Sequence, residues 1–366
     1  MHRRDFLAAS VATLAAAGMW PQATAAGASH GWVGARLDAE GRPRALRFDA
    51  DGTLHFDIAL PARMHGAAYS PVRSEIVLVS RRPGDYLLVV DARSGAPRHR
   101  VAAAPERFFN GHAVFARGLL FATETVVADD PPSGNGLLGV YDPQAGYARI
   151  GEFATGGHDP HQLLALGDTL AVANGGLLTH PDAPGVVLNP DSMDSSLALI
   201  DAREGRIKAL HRLAPEFSRL GLRHMALGHD GTLAVGMQYE GARADDVPLV
   251  ALLRPGRALE PLELAMQSRL ANYVGSVAFD GSGRILGLSS PRGGVALFHD
   301  LHTGRPVGLV EVPDGCALGA DGARRFVVGS GLGGTRRVVD GRPSGAVGDV
   351  RLAGARWDNH FVDLPA

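Results

Sequence analysis

Five histidines and one cysteine in this sequence stand at the head of similar short apolar runs. The runs read HGAAYS from His65, HAVFA from His112, HQLLAL from His161 and HMALG from His224. They continue with SVAFD from Ser276, CALGA from Cys316 and HFVDL from His360. Successive heads are 47, 49, 63, 52, 40 and 44 residues apart. Only 15 of the 366 residues are histidine, so five of seven such positions far exceed chance. Imidazole nitrogen and thiolate sulfur are ligands of zinc, copper and iron. Equivalent positions in a structural repeat lie at equivalent heights. The pattern therefore predicts a ring of His65, His112, His161, His224, His360 and Cys316 able to hold a transition metal, iron or copper, with zinc as a further candidate. The competing role for such imidazoles is to hydrogen-bond the backbone of a neighbouring unit. One or two would fit that role; five with a thiol exceed it.

The elements that must position these residues are strands. Each head opens an apolar strand, followed by a tight turn and a second apolar strand such as 76–80 or 233–237. A second repeat runs alongside the first. Apolar strands end in a polar turn, commonly Asp with Gly a few residues on: Asp49 and Gly52, Asp91 and Gly95, Asp142 and Gly146, Asp201 and Gly205, Asp300 and Gly304, Asp340 and Gly345. The strand at 249–253 has Arg254 and Gly256 in the same place. Asp supplies local hydrogen bonds and Gly a positive φ at such turns. Both counts give seven. Four short strands in each 40–60-residue unit is the pattern of a β-propeller blade. The last opening strand, at 360–364, has no partners after it, whereas strands at 32–37, 45–48 and 54–60 have no opener. The fold expected is all-β: one seven-bladed β-propeller domain over residues 27–366, closed by one C-terminal strand plus three N-terminal strands.

In such a ring the long connections at 123–136, 174–196 and 238–247 fall on the face that bears the heads. Sites on rigid scaffolds commonly use such loops. They add Glu124, Asn174, His180 and Asn189 to the candidate residues. Asn110, Asp159 and Asp358 lie beside ring histidines in sequence and are candidates to orient the imidazoles.

Residues 1–26 read as an export signal. Arg3-Arg4 precede Phe6-Leu7, an Ala-rich apolar run reaches Trp20, and Ala23-Thr24-Ala25-Ala26 suits cleavage. The run is shorter than the roughly 20 residues of a spanning helix. A twin-arginine-exported, periplasmic, monomeric protein without a membrane span is expected. The 36 basic and 38 acidic residues nearly cancel, which argues against nucleic acid as a partner. A single cysteine excludes a disulfide within the chain.

The stretches NGHAVF (110–115), PHQLLAL (160–166), VANGGLLTHPD (172–182), LNPDSMDSSL (188–197), RHMALG (223–228) and WDNHF (357–361) resemble the bacterial family known as domain of unknown function 1513. The resemblance covers most of the chain after the signal. It implies twin-arginine export and periplasmic iron handling, with imelysin-type or di-haem proteins as partners, and it brings no established activity. Three functions follow as expectations. The first is a metal-binding accessory of iron or copper acquisition. The second is a metal-dependent oxidoreductase or hydrolase, with Glu124 as a candidate base. The third is a protein-interaction scaffold without metal.

Overall fold

A computed structural model describes residues 30–127, 135–180, 186–348 and 350–364. The export segment at 1–26 lies outside the described residues, as does part of the connection at 123–136. The chain forms seven four-stranded antiparallel sheets, each with its strands in chain order apart from the one that joins the two ends. They are the blades of a seven-bladed β-propeller. The innermost strands are Met64–Ser70, Arg107–Ala116, Pro160–Leu166, Leu220–Leu227, Ser276–Phe279, Gly315–Ala320 and Arg356–Leu364. Every head picked out in the sequence lies on one of them.

Blades stack face to face, so their middle strands are buried on both sides and read as continuous apolar runs. Glu75–Ser80, EIVLVS, and Val295–Asp300, VALFHD, are buried at every position. Outer strands such as Pro97–Ala102, PRHRVA, face solvent and carry charge. The polar turns are built alike. Asp91, Asp201 and Asp300 each accept through one carboxylate oxygen from the amides two and three residues on. Gly95, Gly205 and Gly304 close these turns with φ near 70° and amides that donate back to the Asp carbonyl.

The ring closes as the sequence implies. Arg356–Leu364 pairs with Gly31–Leu37, Gly31 opposite Leu364 and Leu37 opposite Arg356. Pro43–Asp49 and Leu54–Ala59 complete that blade. Trp32, Phe48, Trp357 and Phe361 pack there with ring centroids 4.7–6.4 Å apart, beside Ala317 and Val327 of the sixth blade. Closure leaves no exposed sheet edge between the first and last blades.

Candidate metal centre

The innermost strands are not regular where the site residues sit. Met64 pairs with Ser80 and Gly66 with Val79, leaving His65 without a partner. Similar slips fall between Phe109 and Ala113, Pro160 and Leu163, Leu222 and His224, and Gly315 and Ala317. On the last strand Asn359 and His360 are skipped between Phe361 and Asp358. Six of the seven innermost strands thus carry a bulge at or beside the head residue; Ser276 starts its strand without one. A bulge bends its strand and re-aims a side chain. Here the effect is to turn the imidazoles toward the propeller axis.

The five imidazoles meet there. His65 Nε2 lies 3.2 Å from His161 Nε2 and 3.2 Å from His360 Nε2. His161 Nε2 lies 3.0 Å from His224 Nε2. His112 stands edge-on to His65, with ring centroids 4.7 Å apart, and 4.9 Å from His161. His65, His112, His224 and His360 each offer a nitrogen within 4.8 Å of all the others. Such closeness needs glycine. Gly111 has φ +100°, and a Cβ there would lie 2.6 Å from Cβ of His65.

Burial sets the protonation of the group. Enclosure pushes His65, His112, His161 and His224 well below the ordinary imidazole range, and neighbouring histidines add to the effect. His360 is pushed down to about 4, chiefly by burial. The five are therefore neutral near pH 7, the state in which imidazole binds a metal. His112 Nε2, His65 Nδ1 and His161 Nδ1 are buried without a hydrogen-bond partner among the described residues. The converging Nε2 atoms, the orphaned Nε2 of His112 and the all-imidazole donor set fit a transition-metal ion, whereas Nδ1 of His65 and of His161 faces away from that point.

One imidazole is oriented by a traceable relay. Ser276 Oγ donates to the Cys316 carbonyl at 2.7 Å and lies 2.6 Å from His360 Nδ1. With its proton directed at the carbonyl, Ser276 accepts from His360 Nδ1–H. His360 Nε2 then bears the lone pair and points it at the group.

The residues expected to orient the imidazoles do other work. Asp159 accepts from Arg82 and Arg223. Asp358 accepts from Arg63 on both oxygens and from Arg81 at 3.3 Å. A buried carboxylate pairs with the charged guanidinium in reach before it pairs with a neutral imidazole. Asn110 exchanges hydrogen bonds with Thr125, and Asn174 donates to Thr155 and Ser196. Glu124 is buried in the second blade, held by Tyr141 and by Arg149 at 3.0 Å. Asn189 ties the long third-blade connection together through Leu178 and Gly176. His180 lies, partly exposed, on that connection.

Cys316 lines the cavity above the imidazoles, but its sulfur faces the carbonyls of Trp357 and Gly329. Burial pushes its thiol up to about 12. It is a protonated donor to the backbone and stands apart from the group of four nitrogens.

The cavity holds about 210 Å³, and arginines line it. Arg81 and Arg82 reach it from the end of the second strand of the first blade, and Arg223 from the position before His224. Sequence reasoning missed these arginines. The signal available was the place of Arg223 directly before a histidine head and of Arg81-Arg82 directly after the strand that pairs with the His65 strand.

No curated protein matches the sequence. Among solved structures, the chain is similar to the periplasmic gluconolactonase PpgL of Pseudomonas aeruginosa, at 15% identity and a TM-score of 0.62, over 92% of this chain and 99% of that one. It is also similar to a chain of Kuenenia stuttgartiensis hydrazine synthase, at 14% identity and a TM-score of 0.56, over 81% and 91%. BamB from Moraxella catarrhalis matches at 15% identity and a TM-score of 0.50, over 85% and 86%. At such identities the likeness is one of fold. The sequence itself matches, over residues 58–364, the family described as "Protein of unknown function (DUF1513)", and the chain belongs to that family.

Proposed function

We propose that the protein is a periplasmic metal-binding propeller that holds a transition-metal ion in the axial imidazole group and serves iron or copper acquisition. The observation that carries this reading is the convergence of four histidine nitrogens within 4.8 Å, with His161 bridging His65 and His224. His65, His112, His224 and His360 would hold the ion, and neutral imidazole is a ligand of copper, iron and zinc alike. The twin-arginine pattern at Arg3-Arg4 supports export, and the family resemblance supports imelysin-type or di-haem proteins as partners of a monomer.

The test is the metal content of the protein purified from its native compartment without chelators, by mass spectrometry. About one equivalent of iron or copper is expected, lost in the double variant His65→Ala/His360→Ala while the fold persists. Protein that retains no metal at neutral pH, and takes up none, would remove this reading.

A second reading, a metal-dependent oxidoreductase or hydrolase, draws support from the cavity that opens over the imidazoles. Glu124 would not be its base. That carboxylate is buried against Tyr141 and Arg149, away from the cavity. Turnover by the metal-loaded protein and its loss in the same double variant would separate the two readings.

A further inference from the structure

The cavity over the imidazoles is lined by three arginines, Arg81, Arg82 and Arg223, and by no carboxylate among the described residues. The two aspartates beneath are fully engaged. Asp159, 2% exposed, takes Arg82 on one oxygen and Arg223 on the other. Asp358, 7% exposed, takes Arg63 and Arg81. Asp314, close enough to be felt by Asp358 and Cys316, is the third carboxylate nearby, so four guanidiniums face three carboxylates and one positive charge is left over. Imidazole carries no negative charge with or without its extra proton, and the Cys316 sulfur faces the Trp357 carbonyl, so the rest of the wall adds no anion. Arg223 is only 4% exposed, and its Nε is buried without a partner among the described residues. A buried guanidinium with an idle N–H is costly unless an acceptor meets it.

The arginines also stand in useful places. Arg81 is felt by His65 and His360, and Arg223 by His161 and His224. Both line the same cavity as His65, His161, His224 and His360. An anion spanning them lies against the histidine nitrogens. A cavity of about 210 Å³ is below the ~300–1,000 Å³ of clefts for drug-sized ligands, so the anion is small. Guanidinium forks match the paired oxygens of carboxylate and phosphate.

We infer that this cavity is a receptor for a small oxyanion, a dicarboxylate or a phosphate, held by Arg81 and Arg82 near its mouth and by the buried Arg223 beside the imidazoles. The arginine arrangement carries the inference without a metal. Where a metal occupies the imidazoles, the oxyanion also supplies the negative charge that an all-imidazole site lacks.

Titration calorimetry of the full protein with oxalate and with inorganic phosphate tests this, in metal-stripped and metal-loaded forms. Saturable one-site binding of at least one anion is expected. Binding of oxalate alone identifies a dicarboxylate, and of phosphate alone a phosphate compound. Arg81→Gln and Arg82→Gln should each weaken binding about tenfold or more, and Arg81→Lys, which keeps the charge but loses the fork, should weaken it less than Arg81→Gln. Melting curves identify any variant that fails to fold, and the remaining variants then decide. Absence of saturable binding in both forms overturns the inference, as does unchanged affinity in the folded arginine variants. Protein that binds oxalate but no metal would keep this inference and remove the metal-binding reading; metal binding without either anion would do the reverse.

Discussion

Ser276 decides how His360 presents itself. Its hydroxyl takes the Nδ1 proton because its own proton is committed to the Cys316 carbonyl, which also accepts from Ser289 at 2.9 Å. Removing it frees the imidazole to rotate or to change tautomer. Ser276→Ala should lower metal affinity by about 10–100-fold, the usual effect of losing a partner that orients a ligand. The melting temperature should change little, because the strands carry the fold. Competition against a chromophoric chelator reads the affinity directly; an unchanged value would mean that His360 needs no such support. At this scale the sequence was half legible. The repeat placed Ser276 in the same series as the histidines, yet the carboxylates at Asp159 and Asp358 looked the better partners for imidazole. Their real partners, Arg82 and Arg223 for one and Arg63 and Arg81 for the other, come from other strands or other blades. Charge pairing across a fold leaves no local trace in the chain.

The element that makes the site is the bulged innermost strand. A regular strand would keep His65 and His112 in the alternation of the ladder, half its side chains facing each neighbouring blade. The extra residues at 65, 110–112, 161–162, 223, 316 and 359–360 break that alternation at one height. Gly111 shows the constraint most sharply, with φ +100° and no space for a Cβ beside His65. Gly111→Ala should cost about 1–3 kcal/mol of stability, from the left-handed backbone and the contact with His65. It should weaken metal binding as well, by displacing His65 or His112 from the group. Chemical denaturation and metal titration on one preparation would measure both; a variant as stable as the parent with full affinity would mean that the second-blade bulge is dispensable. Strand existence, order and ring closure were all legible in the sequence, because apolar heads and Asp–Gly turns recur with the blade. The bulges were not. One extra residue changes the pairing without changing the apolar pattern of a six-residue run such as Gly315–Ala320.

Across the whole molecule, the ring brings residues from both ends of the chain to one axis. His360, on the strand that closes the propeller, touches His65 of the first blade, and that contact continues through His161 to His224 of the fourth. A bound ion would therefore link several blades at once, and protonation of the same imidazoles would oppose the closed ring. The sign follows from the depressed values. In the unfolded chain each histidine takes a proton near 6.5, whereas in the folded protein burial resists it, for His360 down to about 4. Below about 6.5 the unfolded state binds more protons, so stability falls as pH falls, by about 1.4 kcal/mol per pH unit for each proton in question. With five such histidines the metal-free protein should lose stability steeply from about pH 7 to about pH 5, well before its carboxylates titrate. Loading with metal should raise the melting temperature at neutral pH, because only the folded state assembles the ligands, and that gain should vanish over the same acid range as protons displace the ion. Replacing His65, His161 and His224 together by Gln should reduce the slope of the pH profile of the metal-free protein by more than half, leaving the share of His112 and His360, since Gln does not titrate. Denaturation midpoints across this range would decide it: a flat profile for the parent protein would mean that water reaches the axis and keeps the imidazoles near their ordinary values, and the enclosed, neutral donor group on which metal binding depends would not exist.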